Sequence, residues 1–296
     1  MEDIKFKILT GCDNGIFIKC SKRFLKLSNN LLVSIGGKSL KLFYVKKKND
    51  KIKLKLLDVS ETLLWSPLSI FELNNKDIIT TGRNQIVIYK ILDKKFKLVE
   101  EIHDFGLAEL FQVVQCQNEK IIISSITDLL VILEKKNDKY QLTKYNVCRA
   151  HDMEYISKNN IFLIEYFPEK TNLSILDFSE EKISKKNLKF GYKITQFRFA
   201  KNIFYFNEKF LIFQSTKYLF YLNLKMEEII FVVELDSVIY DFKYLKDDKY
   251  LCVFENKKVG LISIKNEFVI EDTKIFEDVN PFQIIDIEDF FLLLCD

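Results

Sequence analysis

Two histidines occur in the 296 residues, and each is followed by an aspartate: His103-Asp104 and His151-Asp152. A His-Asp pair is a fragment of a metal-hydrolase site, but a catalytic metal usually needs three protein ligands in fixed geometry. Two histidines at equivalent places in a repeat fit a structural role better, and no metal or cofactor is expected. Asp104-Phe105-Gly106 spells the magnesium motif of protein kinases without the glycine-rich loop or the His-Arg-Asp loop that gives it meaning. No nucleophile elbow, phosphate loop or dinucleotide fingerprint is present. Asn172-Leu173-Ser174 matches a glycosylation acceptor, which carries nothing in an unsecreted protein. None of the six cysteines forms a Cys-x-x-Cys. Most sit in apolar runs such as Leu251-Cys252-Val253, where a thiol acts as a small hydrophobe. The chemistry on offer points away from an enzyme and from a small-molecule substrate.

Charge gives the next candidates. Of 45 basic residues four are arginine, Arg23, Arg83, Arg149 and Arg198, and the net charge is +3. Residues 1–60 carry 14 Lys/Arg against five acids. Lys46, Lys47 and Lys48, followed by Lys51, Lys53 and Lys55, could contact nucleic-acid phosphates, which ask only for positive charge in a row. The plainer reading is protection of an exposed sheet edge. Lys94-Lys95 and the run Lys182, Lys185, Lys186 occupy similar places and support it. RNA stands as an alternative partner. The first residues hold no apolar signal segment, and no apolar run approaches the ~18 residues of a membrane span. An intracellular setting, cytoplasmic or nuclear, is expected, with no membrane contact and no disulfides.

The elements that must position these residues recur along the whole chain. Apolar runs of five to seven residues begin near Leu31, Ile78, Ile121, Ile161, Phe210, Tyr250 and Phe290, at intervals of 47, 43, 40, 49, 40 and 40. A polar turn and a second, alternating run follow each. The runs are short and rich in Ile, Val, Phe and Tyr, which argues for strands and against helices. Runs such as Ile121-Ile122-Ile123 are apolar throughout, as a strand covered on both faces should be. Later strands alternate: Ile52, Leu54 and Leu56 interleave with Lys51, Lys53 and Lys55, which gives one dry and one wet face. Buried inner strands and half-wet outer ones are the radial gradient of a β-propeller blade.

The expected fold is all-β, one domain over 1–296 with seven blades. Their approximate bounds are 22–59, 65–102, 107–147, 151–190, 194–235, 238–276, and 280–296 joined by 4–20. The opening hairpin, Ile4–Thr10, a turn at Asp13-Asn14-Gly15, then Ile16–Cys20, is expected to supply the outer two strands of the last blade and close the ring. Asn-Gly between such runs is a strong hairpin signal.

The third unit shows a likeness to a known family. His103 precedes Leu107–Val114, then come Ser124-Ser125-Ile126-Thr127-Asp128 and Leu129–Leu133. The second unit reads Thr80-Thr81-Gly82-Arg83-Asn84-Gln85 and ends its next strand on Tyr89; the first reads Gly36-Gly37-Lys38-Ser39 and ends on Phe43. This pattern, and a period near the 40–45 residues of a blade, resembles the WD40 repeat family in degenerate form. No Trp-Asp dipeptide is present, and the one Trp is Trp65. The resemblance implies a protein-interaction scaffold, a subunit of a larger complex whose partners are other protein subunits. It also implies that His103 and Asp128 form a hydrogen-bonded lock within a blade. On one rim it gathers Trp65, Arg83, Asn84, Phe105, Arg149 and Tyr192, residue types that dominate interface energetics.

Overall fold

A computed structural model describes residues 4, 6–9, 24–29, 31–36, 38–48, 51–104, 106–147, 150–166, 171–180, 182–188, 200–207, 210–215, 218–226, 228–264, 268–278, 281–287 and 290–295. Among them the strands form six four-stranded sheets and one three-stranded sheet. The first blade is β2 (Phe24–Lys26), β3 (Leu31–Gly36), β4 (Ser39–Lys48) and β5 (Lys51–Val59), and the second is β6 (Ser69–Glu72), β7 (Ile78–Gly82), β8 (Gln85–Leu92) and β9 (Lys95–His103). The third blade is β10 (Leu110–Gln115), β11 (Ile121–Ser125), β12 (Leu129–Lys136) and β13 (Lys139–Asn146). The fourth is β14 (Ala150–Ser157), β15 (Asn160–Tyr166), β16 (Thr171–Asp177) and β17 (Ser184–Asn187). β18 (Ala200–Asn207), β19 (Phe210–Ser215), β20 (Tyr218–Asn223) and β21 (Glu228–Glu234) make the fifth. The sixth is β22 (Ile239–Tyr244), β23 (Lys249–Phe254), β24 (Lys258–Ile264) and β25 (Phe268–Ile275). The last sheet joins β26 (Pro281–Ile287) and β27 (Phe290–Cys295) to β1 (Phe6–Leu9).

Each four-stranded sheet is an antiparallel meander in chain order. Local turn chemistry sets its register. Asp93-Lys94 between β8 and β9, and Asn137-Asp138 between β12 and β13, hold φ at 51° and 61° and at 50° and 63°. Two positive φ values in succession make the turn whose twist matches its strands. The gradient from inner to outer strands is present: every residue of β7 and β11 is buried, while β9 and β13 alternate between exposed and half-buried.

The core lies between blades rather than within them. Val33, Leu42, Ile70 and Val87 share one layer between the first and second blades. Ile122, Ile132, Met153 and Leu163 share another between the third and fourth. Each fully buried aliphatic or aromatic side chain contributes roughly 1.5–3 kcal/mol against about 1 kcal/mol for a hydrogen bond, so the apolar layers carry most of the adhesion between blades.

The expectation of seven complete blades is corrected to six. The seventh apolar run does form a strand, β27, beside β26, but the N-terminal strand that joins them pairs in parallel, Phe6 opposite Phe291 through Leu9 opposite Leu294. No tight turn ties β1 to β27, so hairpin geometry does not dictate its direction, and among the described residues this sheet has three strands. The second strand of the expected hairpin, Ile16–Cys20, and its turn at residues 13–15 lie outside the described residues. The three-stranded sheet touches both neighbours. Ile284 N–H donates to Asp241 Oδ2 of the sixth blade at 2.7 Å, and Gln283 Nε2 donates to the Phe24 carbonyl of the first at 2.9 Å.

Candidate functional site

The segment 60–68, which links the first blade to the second, passes over the turn between β7 and β8. Leu64 in it is buried, while its neighbours Leu63 and Trp65 are 67% and 51% exposed. An exposed indole on a linker would ordinarily be mobile, yet this one is held at both backbone ends. Arg83 N–H donates to the Trp65 carbonyl at 2.8 Å, and Trp65 N–H donates to Gln85 Oε1 at 2.8 Å. Buried Gln85 spends its amide nitrogen on the Leu63 carbonyl, at 3.2 Å, and on Glu101 Oε1, at 2.7 Å. Glu101 Oε1 also meets His103 Nε2 at 2.6 Å. The His103 ring stands edge-on to the indole, centroids 6.2 Å apart. Gly82 is needed for this approach, since a Cβ there would lie 2.4 Å from the Trp65 carbonyl oxygen.

The next linker is tied in the same way. Asp104 N–H donates to the Asn84 carbonyl at 3.2 Å, and Ile126 N–H to the Glu109 carbonyl at 3.0 Å. Arg83 bridges Glu109 through the backbone. The Asp104 carboxylate pairs with Lys144 Nζ at 2.7 Å. That bond, with the N–H of Gly106, holds its carboxyl below the usual aspartate range. The result is a firm surface that displays Leu63, Trp65, the Arg83 side chain, half-exposed His103 and Ile126. It has the makeup of an interface patch, with an aromatic and an arginine amid apolar neighbours.

Of the six residues expected on the rim, the structure brings together Trp65, Arg83 and Asn84; Phe105, Arg149 and Tyr192 lie outside the described residues. Asn84 serves through its backbone, at a left-handed φ of 57°. His103, which the resemblance pairs with Asp128, meets Glu101 in the structure. His103 ends β9 and bonds Glu101, two residues back on the same face of that strand, while Asp128 sits exposed in the turn before β12, its carbonyl accepting Val147 N–H at 3.0 Å. Lys46 and Lys55 are exposed on β4 and β5, and the backbone places Lys47, Lys48, Lys51 and Lys53 on the same two strands. Cys116 and Cys252 are buried, and burial pushes both thiols up, Cys116 to about 12. Among the described residues no group of three or more His, Cys, Asp or Glu is placed to hold a metal ion. Sequence reasoning missed Leu63, Gln85 and Glu101. A polar Gln opening the otherwise apolar run Gln85-Ile86-Val87-Ile88 was the available signal, because a buried amide must find partners.

No protein-family model matches the chain, and no curated protein does. Solved structures do. A chain of the mitotic checkpoint complex superposes with a TM-score of 0.70 at 8% identity, over 91% of this chain and 84% of that one. The C-terminal WD40 domain of Sif2 gives 0.62 at 14% identity, over 93% and 80%. The WD40 β-propeller domain of Doa1 gives 0.60 at 11% identity, over 86% and 81%. At such identities the likeness is one of fold. By fold, therefore, this chain is a WD40-like β-propeller.

Proposed function

We propose that the chain is a non-enzymatic scaffold that binds a partner protein through the rim around Trp65, as one subunit of a larger intracellular complex. The observation that carries this reading is an indole half in solvent, on a backbone held by Arg83 and Gln85 and with the His103 ring edge-on beside it. A pre-ordered aromatic loses little entropy on binding, and such anchors dominate interface energetics. That one solved neighbour is a chain of the mitotic checkpoint complex accords with work inside an assembly. The same reading takes the wheel as closed through its three-stranded sheet, which makes the rim a rigid platform.

The test is quantitative co-purification of the tagged chain with its native neighbours, wild type against Trp65→Ala with Arg83→Ala. Loss of a hot-spot anchor costs at least about 2 kcal/mol, roughly thirtyfold in affinity. The partners recovered by wild type should fall to background with the double variant and persist with a control at Lys225→Glu on the fifth blade. Undiminished recovery by the double variant would sink the rim assignment.

A further inference from the structure

The first blade carries a second surface, away from the rim. β3 pairs with β4 only as far as Leu31 opposite Tyr44, whereas β4 and β5 continue to pair out to Lys48 opposite Lys51. Residues 45–54 thus belong to a two-stranded ribbon that runs beyond β3. Side chains alternate along a strand, so positions 40, 42, 44, 46 and 48 of β4 share one face. The register sets Asp58, Lys55, Lys53 and Lys51 opposite Leu42, Tyr44, Lys46 and Lys48. The inner end of that face is sealed: Leu40 and Leu42 are buried in the layer with the second blade, and Asp58 Oδ2 accepts Phe96 N–H from β9 at 2.7 Å. The outer end is open, with Tyr44 45% exposed and Lys46 and Lys55 exposed. An aromatic ring and five lysine positions therefore share one face, and the acid on it, Asp58, lies at the sealed end, turned to the Phe96 N–H.

This arrangement is unfavourable in the free protein. Lys46 stands opposite Lys53 and Lys48 opposite Lys51, and like charges directly across a ladder repel. In the ribbon beyond β3 both β4 and β5 are edges, so edge protection accounts for a lysine on either strand, but it does not call for lysines set directly opposite one another. We infer that this face binds single-stranded nucleic acid, the lysines contacting backbone phosphates and a base stacking on Tyr44. A cationic track beside an aromatic platform is how single strands are held without regard to sequence. Such binding needs none of the paired Arg and Asn contacts that read base edges. This surface is independent of the rim, and each can fail alone.

The experiment is fluorescence anisotropy of a labelled single-stranded RNA oligonucleotide against the full chain over a range of salt. Wild type should bind, and its affinity should fall with ionic strength. Lys46→Glu sets opposite charges across the ladder at Lys53, so this variant should melt no lower than wild type while it binds RNA at least about tenfold more weakly. Its salt dependence should be shallower by about 0.7 in log–log slope for each phosphate no longer neutralised. Tyr44→Ser should weaken binding by about tenfold and leave the slope unchanged. Lys225→Glu, the same charge change on the fifth blade, should alter affinity less than twofold. The inference is overturned by no binding at low salt, by equal weakening from Lys225→Glu, or by capture on phosphatidylserine vesicles in preference to RNA.

Discussion

Glu165 lies in the middle of the molecule's driest strand type. It is fully buried on β15, with Oε1 2.6 Å from Lys185 Nζ on β17 and Oε2 accepting from Ser174 Oγ at 3.0 Å. The lysine stem crosses from the outer strand to reach it, and its own side chain stays 27% exposed. Lys185→Met should therefore remove a charged partner from a buried carboxylate and lower stability by about 1.5–3 kcal/mol, while Glu165→Gln combined with Lys185→Met should restore most of that. Urea unfolding of the two variants checks it, and similar losses in both would mean the pair is not coupled. Nothing in Ile161-Phe162-Leu163-Ile164-Glu165 discloses this. The strand is legible from its apolar run, but the charge that follows it is satisfied twenty residues away, across two turns. His103 shows the same limit. Its position before the third blade was legible, whereas its choice of Glu101 depended on which face of β9 it shares.

At the scale of elements, the places where register slips do more than bend a strand. β5 and β9 each bulge just beyond an acid: Asp58 pairs Leu42 before the shift, and Glu100 pairs Ile88 before the next. Both carboxylates then capture the outer strand of the following blade, Asp58 at Phe96 N–H and Glu100 Oε2 at Tyr140 N–H at 3.0 Å. On inner strands Gln112 and Asp241 do likewise beside their own shifts, accepting from Met153 N–H at 2.9 Å and Ile284 N–H at 2.7 Å. A bulge increases local twist and re-aims a side chain, which here turns it toward the neighbouring blade. Glu100→Ala should lower stability by about 1.5–3 kcal/mol, as loss of a charged hydrogen bond does, whereas exposed Lys97→Ala on the same strand should stay within about 0.5 kcal/mol. Thermal melts of the two variants decide, and indistinguishable values would show that the bulge acid is idle. Strand spacing was readable from apolar runs; bulges were not, because one extra residue leaves the alternation intact on either side of it.

Across the whole molecule the count of apolar runs led to seven blades because every unit, including the last, owns an inner apolar strand. What the count could not supply was the outer part of the final unit, which depends on residues nearly the full chain length away and arrives as one parallel strand. The proposed closure needs that strand as a cover, since the bonds to both neighbouring blades come from β26. Leu293 of β27 and Ile284 of β26 pack with Leu251 and Val259 of the sixth blade, and Ile4 leans on the same cluster. β1 covers the other edge of β27 along four residues. Without β1, β27 would be an apolar edge strand with unpaired N–H and C=O groups, the condition that drives sheet-to-sheet association. Removal of residues 1–9 should therefore leave a chain that self-associates in size-exclusion chromatography and melts at a lower temperature. Such a loss is expected of a ring, in which every blade has two neighbours, and not of an open stack, where an end unit can be removed at little cost to the rest. A truncated chain that stays monomeric with an unshifted melt would place β1 as an ornament on the sheet rather than its seal.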